Sequence, residues 1–379
     1  MEILISNGAH LNYCNTDDSE VPDKLKTMGY LTHEPLNMAI ENNYVDCVRL
    51  LLENGAKPNH KYFMGYEVNL VPLDNLECME LLLQYNANPN VFNRCGLSPL
   101  MKASRENKPE AVKLLLKYGA DLNVESPPRF EQKTALHYAI RGGNFEIVKM
   151  LVENGARLSR PENYKFSPLH EAILSDRVDI CDLLLKHNCN IEEETDNYTT
   201  PLMLVCGTPG LKCCRGLVKL LLENQADVNA HSKYVSYTDP YLSPLSEYLK
   251  NYEKDPDYDI ISLLVKYGAK VSLRGYLSVV RLKDPFGVLQ YWKPLSNRPD
   301  IKNLLVEAAS SFDLPSIMDA SSATLCPSDK ERLMFYGSRP RELKHLIRQF
   351  LRQTFAKNML QGVQSLPLPV CLKSYLLFE

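Results

Sequence analysis

The stretch TALHYAIRGGNFEIVKMLVENGARLS, Thr134 to Ser159, decides how the chain folds. It reads as two short helices around a polar turn, Arg141-Gly142-Gly143-Asn144. The second helix places Val148, Leu151 and Val152 on one apolar stripe. Gly155-Ala156 stops it, because the position past a helix cap favours left-handed geometry. The plan recurs as EPLNMAIENNYVDCVRLLLENGAKPN (Glu34–Asn59), SPLMKASRENKPEAVKLLLKYGADLN (Ser98–Asn123) and SPLHEAILSDRVDICDLLLKHNCNIE (Ser167–Glu192). Weaker copies occupy Thr200–Asn229 and Ser243–Ser272, and a shortened one occupies Val71–Asn90. The opening MEILISNGAHLN is the back half of another. Where Ser or Thr precedes Pro-Leu, the hydroxyl caps the first helix and proline supplies a compatible first turn. Asn86 and Asn188 replace the stopping glycine with the next-best residue for left-handed backbone, whereas Gln225 is a poorer choice, so that helix end is expected to differ.

The period is about 33 residues, lengthening toward the C-terminus, and a unit of this size cannot bury its apolar face alone. Stacked neighbours, an all-α solenoid, are the expected fold. The copies resemble the ankyrin-repeat family over residues 1–272, as about seven repeats and a leading half-repeat. The resemblance implies a concave surface of hairpin tips and inner helices that holds a protein partner and carries no chemistry of its own. Met1–Leu4 leaves an apolar edge open unless Tyr13–Tyr30 folds over it; the alternative is a shortened form of a longer protein.

Composition narrows the function. The chain has 379 residues, 45% hydrophobic and 23% charged, as in folded proteins of average composition. A formal charge of −3 argues against nucleic-acid binding. The start lacks the basic and apolar segments of a signal peptide, and no apolar run approaches the roughly 18–20 residues of a membrane span. The eleven cysteines show no C-x-x-C spacing and read as free, buried thiols in a reducing compartment, hence a cytoplasmic or also nuclear location. No metal or other cofactor is expected. GTPGLKCC (Gly207–Cys214) lacks the spacing of a phosphate loop and reads as a long turn. His137 and His170 share one repeat position, where ankyrin histidines bond the backbone of a neighbouring hairpin. No nucleophile–base or paired-carboxylate spacing points to an enzyme.

Residues 273–337 are read as a degenerate capping repeat and connector, with the single tryptophan, Trp292, and a helical pattern at PDIKNLLVEAASSF. Residues 338–379 follow. Leu343, Leu346, Ile347, Phe350 and Leu351 form one helical stripe, with Ser338 and Pro340 as its start. Lys344, His345, Arg348, Gln349 and Arg352 lie opposite, read as the solvated face. From periodicity alone two readings stay open: the stripe packs on the last repeat, or it meets another protein.

The segment resembles the SOCS box of the ankyrin-repeat and SOCS-box family. There a first helix of pattern Leu-x-x-x-Cys-x-x-x-aliphatic enters elongin C, and a Leu-Pro-φ-Pro element with the helix behind it selects cullin-5. Leu343 and Leu351 match the ends of the first pattern, and Ile347 replaces its cysteine. Leu366, Pro367, Leu368 and Pro369 match the second, followed by Leu372, Tyr375 and Leu376; the prolines are expected to hold Leu366 and Leu368 outward. Elongin C with elongin B, then cullin-5 and its RING protein, are the partners this resemblance implies, with Leu346 and Phe350 completing the elongin-facing stripe. The whole would be a non-catalytic substrate receptor of a ubiquitin ligase. The rival is a pure interaction scaffold whose last helix only caps the repeats. Viral ankyrin proteins ending in an F-box-like segment match Leu-Pro-Leu-Pro poorly.

For an unidentified protein substrate the hairpin tips offer Arg94, Arg129, Phe130, Tyr164 and Tyr198, and a long insert adds Tyr234, Tyr237 and Tyr241. The alternative is that these aromatics pack one hairpin on the next.

Overall fold

The structure, a computed structural model, describes residues 2–9, 11–12, 34–62, 65–162, 164–231, 243–252, 256–274, 276–277, 282–283, 286–319, 325–339, 343–355 and 359–378. The chain divides into two units, Met1–Glu171 and Ala172–Glu379. The first begins with α1 (Glu2–Ser6) and continues with the helix pairs α2 (Pro35–Glu41) and α3 (Val45–Glu53), α4 (Glu67–Leu70) and α5 (Leu76–Gln84), α6 (Pro99–Arg105) and α7 (Pro109–Lys117), α8 (Ala135–Arg141) and α9 (Phe145–Glu153). A short antiparallel ribbon, β1 (Lys61–Tyr62) with β2 (Gly65–Tyr66), precedes α4. Within this unit α3, α5, α7 and α9 pack in succession, and α6 packs on α8.

The boundary falls inside α10 (Pro168–Leu174). The second unit continues with α11 (Val178–Lys186), α12 (Pro201–Gly207), α13 (Cys214–Glu223), α14 (Pro244–Asn251) and α15 (Tyr258–Lys266). Beyond them lie α16 (Pro299–Ala308), α17 (Leu314–Asp319), α18 (Pro327–Ser338), α19 (Leu343–Phe355), α20 (Met359–Ser365) and α21 (Val370–Leu377). The strand pairs are β3 (Ser272–Leu273) with β6 (Ser311–Phe312), parallel, and β4 (Tyr276–Leu277) with β5 (Leu282–Lys283), antiparallel. Helices α11, α13, α15 and α16 pack in succession, and α12 packs on α14. The fold is all-α.

Residue chemistry explains the repeat locally. Ser98 Oγ accepts from Met101 N at 3.2 Å, and Ser243 and Thr200 cap their helices in the same way. The second helices bury the predicted stripe, with Val148 and Leu151 inaccessible. Gly55, Gly119, Gly155 and Gly268 take the left-handed conformation past the helix ends, as do Asn86 and Asn188. Gln225 corrects the expectation that its helix end would differ: its φ is 68°, and Gln225 N reaches Leu222 O and Ala226 N reaches Leu221 O as in the glycine copies. The neighbouring repeats require that turn, so the residue adopts it despite its own preference.

In the copies that close on asparagine, that residue ties the copy to the next. Asn59 donates to Asn86 O and accepts from Asn88 N, both at 2.8 Å. Asn90 accepts from Asp121 N, and Asn123 from Arg157 N. In the second unit Asn229 donates to Gly268 O at 3.1 Å and accepts from Lys270 N at 2.7 Å. A side-chain amide suits this bridge because it can donate and accept at once.

His137 is buried, with Nδ1 2.8 Å from Thr134 Oγ1 and Nε2 3.2 Å from Phe166 O of the following hairpin. It is a bolt between repeats, as the sequence suggested. His170 Nδ1 lies 2.7 Å from Ser167 Oγ in the equivalent place. The Gly207–Cys214 turn is occupied by the chain itself: Lys212 N and Cys213 N donate to the Asp176 carboxylate at 2.9 and 3.0 Å. Cys78, Cys181, Cys189, Cys206 and Cys214 are buried, and burial pushes Cys78 up to about 11 and Cys189 up to about 12. Cys95, Cys213, Cys326 and Cys371 are exposed, so the reading of the thiols as buried groups holds only for part of them. Residues 273–337 contain a built core: Trp292 is buried under Lys302 Nζ, 5.7 Å from its ring, and that ammonium meets Asp329 at 2.6 Å.

Two stability measurements follow. Burial pushes His137 down to about 4, so its neutral ring contributes fully above about pH 6.5 and the contribution is lost as the pH falls toward 4. That loss is on the order of 3 kcal/mol, and melting temperatures recorded between pH 7 and 4 should fall less steeply in His137→Gln than in the wild type. Gln225→Gly should raise stability by about 0.5–1 kcal/mol in thermal denaturation, because glycine relieves the left-handed strain at a smaller cost in unfolded-state entropy. A fall in the melting temperature would show that the glutamine side chain, and not the backbone, dominates there.

Candidate partner-binding surfaces

The hairpin residues proposed for substrate capture divide in the structure. Arg94 is exposed. Arg129 is exposed and lies 4.7 Å over the ring of the half-buried Phe130. Phe130 in turn covers Gly96, where an added Cβ would come within 1.9 Å of the ring, so the aromatic packs one hairpin on the previous one. Tyr198 is exposed with a left-handed φ of 57°. Tyr164 is a correction: it is only 5% exposed, edge-on to His137 at 5.1 Å, with its hydroxyl bonded to Glu171. It belongs to the core of the first unit and offers a partner nothing. Tyr234, Tyr237 and Tyr241 lie outside the described residues, as does Tyr13–Tyr30.

The C-terminal helices form a small bundle. Met359, Val363, Leu376 and Leu377 are its buried centre, and Leu351, Phe355, Leu360, Leu366, Leu368 and Tyr375 pack around them. Gly362 makes this possible, since a Cβ there would come within 2.3 Å of the Phe355 ring. Ser338 ends α18 and does not open the next helix, which is described from Leu343. Of the predicted stripe, only Leu351 turns into the bundle. Leu343 is 72% exposed, Phe350 65%, Leu346 49% and Ile347 45%.

On the opposite face Arg348, Gln349 and Arg352 overturn the expectation of solvation, while the side chains of Lys344 and His345 lie outside the described residues. Arg348 is only 4% exposed, stacked on the rings of Tyr375 at 3.7 Å and Phe378 at 4.0 Å. A carboxylate oxygen of the largely exposed Glu307 lies 3.8 Å away. Burial pushes the Arg348 guanidinium below its ordinary value, partly restored by Tyr375 and Glu307. Arg352 donates to Val265 O at 2.8 Å and Ala269 O at 2.9 Å, and Gln349 donates to Ala309 O at 2.7 Å. These carbonyls lie in the last turn of α15 and just past the ends of α15 and α16, where the negative end of the helix dipole favours such donors. Burial and the adjacent Arg348 hold Arg352 down to about 10, which leaves it charged at neutral pH. Helix α19 is therefore inverted relative to an ordinary surface helix, with cations inward and apolar residues outward.

The proline element also differs from expectation. Leu366 and Leu368 are half-buried against the bundle centre and do not point outward, because the Leu-Pro-Leu-Pro link bends at Leu366 and Pro367, with Leu368 N donating to Leu366 O at 2.8 Å. Pro367 and Pro369 are exposed. Beyond them Val370, 79% exposed, and Leu372 face away from the protein, while Tyr375 is half-buried beneath Arg348. Val370 was missed in the sequence, although a β-branched residue directly after the second proline, at the first turn of a helix, marks it.

Similarity to known proteins agrees with this architecture. The Ankyrin repeats (3 copies) family matches residues 71–126, 124–195 and 158–232, an Ankyrin repeat matches residues 34–62, and the SOCS box family matches residues 339–377. The chain is 26% identical over 365 residues to human Ankyrin repeat and SOCS box protein 16, spanning 91% of this chain and 74% of that protein. It is 25% identical over 296 residues to the fowlpox virus (strain NVSL) ankyrin repeat protein FPV232, spanning 70% of this chain and 59% of that protein. The crystallised ankyrin repeat domain of Bcl-3 superposes with a TM-score of 0.51 at 21% identity, covering 61% of this chain and 97% of that one, which speaks to the fold alone. With repeats along both units and a bundle at residues 339–377 that matches the SOCS box, the chain belongs to the ankyrin-repeat and SOCS-box family.

Proposed function

We propose that the chain is the substrate-recognition subunit of an elongin B/C–cullin-5–RING ubiquitin ligase, with its repeats holding a target protein and its C-terminal bundle recruiting the ligase core. The observation that carries this reading is the inverted helix α19. Leu343, Leu346, Ile347 and Phe350 stand in solvent on one face while arginines occupy the buried face. At about 1.5–3 kcal/mol for taking a fully exposed side chain to full burial, covering the exposed parts of those four would release roughly 3–7 kcal/mol gross. A helix that merely capped the repeats would bury this stripe, so the orientation favours an adaptor over a scaffold. Elongin C is the partner assigned to the stripe. Pro367, Pro369, Val370 and Leu372 are assigned to cullin-5; Leu366, Leu368 and Tyr375 would act by shaping the bundle that presents them.

The mechanism is proximity. A receptor that holds a target beside a charged ubiquitin carrier raises the effective concentration of the target lysine, and the receptor needs no catalytic side chain for this. The target belongs to the repeats, where Arg94, Arg129 and Tyr198 are the accessible candidates among the described residues. Ile347 stands where the family pattern has cysteine; a larger, branched side chain in that pocket costs roughly 1–3 kcal/mol by overpacking.

Two experiments bear on this. Co-purification of the full chain with elongins B and C should be lost in Leu343→Asp and strengthened roughly tenfold in Ile347→Cys, given about 1.4 kcal/mol per decade of affinity. Equal recovery in wild type and Leu343→Asp would reject the ligase reading in favour of the scaffold. Within the bundle, Leu368→Ala should destabilise by about 1–3 kcal/mol, read as faster amide exchange in α20 and α21. Val370→Asp should leave that exchange unchanged and lower cullin-5 capture by the elongin-loaded complex.

A further inference from the structure

The inverted orientation of α19 needs a cause, because apolar burial alone favours the opposite one. The four exposed apolar side chains gain by turning toward the protein, and the hydrophobic effect is non-directional, so it cannot keep them out. What faces inward, beside Leu351 and Phe355, is a set of directional donors. Arg352 reaches two carbonyls at the end of α15, and Gln349 reaches one just past the end of α16. The two residues are spaced i, i+3, so they lie on the same side of the helix. A rotation of α19 about its axis that buried Leu343 and Phe350 would break the three hydrogen bonds to Val265 O, Ala269 O and Ala309 O and leave the Arg352 guanidinium without these acceptors. Arg348, on the same side, is sandwiched with Tyr375 and Phe378 and couples that rotation to α21.

We infer that Arg352 and Gln349 are positioning residues: by capping the C-terminal ends of α15 and α16 they set the rotation of α19 and hold its apolar stripe outward before any partner arrives. The bundle is thereby joined to the last repeat helices through main-chain acceptors, which any sequence on α15 and α16 would supply. The inference rests on the ligase reading only for the partner that the stripe meets; the rotation itself is a property of this chain.

The test is hydroxyl-radical footprinting of the full chain, which reads the solvent exposure of Leu343 and Phe350 by mass spectrometry. In the double variant Arg352→Ala, Gln349→Ala, oxidation of these two residues should fall at least threefold as the stripe turns inward. Recovery of elongins B and C should fall with it. Arg352→Lys keeps a cationic donor and should label within twofold of wild type. If circular dichroism shows that the double variant unfolds, Gln349→Ala alone should lower labelling about twofold. Wild-type labelling in the double variant, or in Gln349→Ala where that variant is used instead, overturns the inference. A wild-type chain that captures no elongin, together with reduced labelling in the variant, supports the positioning role while rejecting the ligase reading.

Discussion

Short helices that cannot stand alone are the constraint on which everything else rests. The repeat helices run to between four and ten residues, too few for independent stability in water, so each must be completed by neighbours. Apolar stripes provide the attraction, and the closing asparagines, with His137, provide the register by joining one hairpin to the next through main-chain groups. Such a construction tolerates much at the surface and little at the turns. Gln225 illustrates the second point, since the stacked neighbours impose a left-handed turn on a residue that resists it.

The same economy of main-chain acceptors reappears where the repeat ends. Helix α19 meets carbonyls at and just past the ends of α15 and α16 with a guanidinium and an amide. That choice settles which face of α19 looks outward. A charged face buried against helix ends is a costly arrangement; here Arg352 and Gln349 are met by carbonyls, while Arg348, whose Nε has no hydrogen-bond partner among the described residues, is stacked on two aromatic rings. Its consequence is an apolar surface free for another polypeptide, beside a second exposed patch at Val370 and Leu372.

Several polar groups of the repeats are spent within the fold. His137 is engaged on both ring nitrogens and held neutral by burial. The amides of Lys212 and Cys213, in the turn that resembled a phosphate loop, are taken by Asp176. Tyr164, a candidate anchor for a partner, spends its hydroxyl on Glu171. In each case the repeat architecture consumes the polar group for its own cohesion, which leaves recognition to what the hairpin tips and the C-terminal bundle expose.

Sequence alone was sufficient for the repeats, their helix pairs and most of their turns, because periodicity, capping residues and left-handed glycines are local properties that recur and check one another. It also located the C-terminal stripe and the Leu-Pro-Leu-Pro link. Which face of α19 would be wet was beyond it: helical spacing separates two faces but does not say which is buried, and the deciding carbonyls of Val265, Ala269 and Ala309 carry no side-chain signature. The inward turn of Leu366 and Leu368, the exposure of Val370 and the burial of Tyr164 were likewise set by groups distant in the chain or by packing against neighbouring helices. Local pattern determines which elements form; only three-dimensional packing decides which of their atoms are left for a partner.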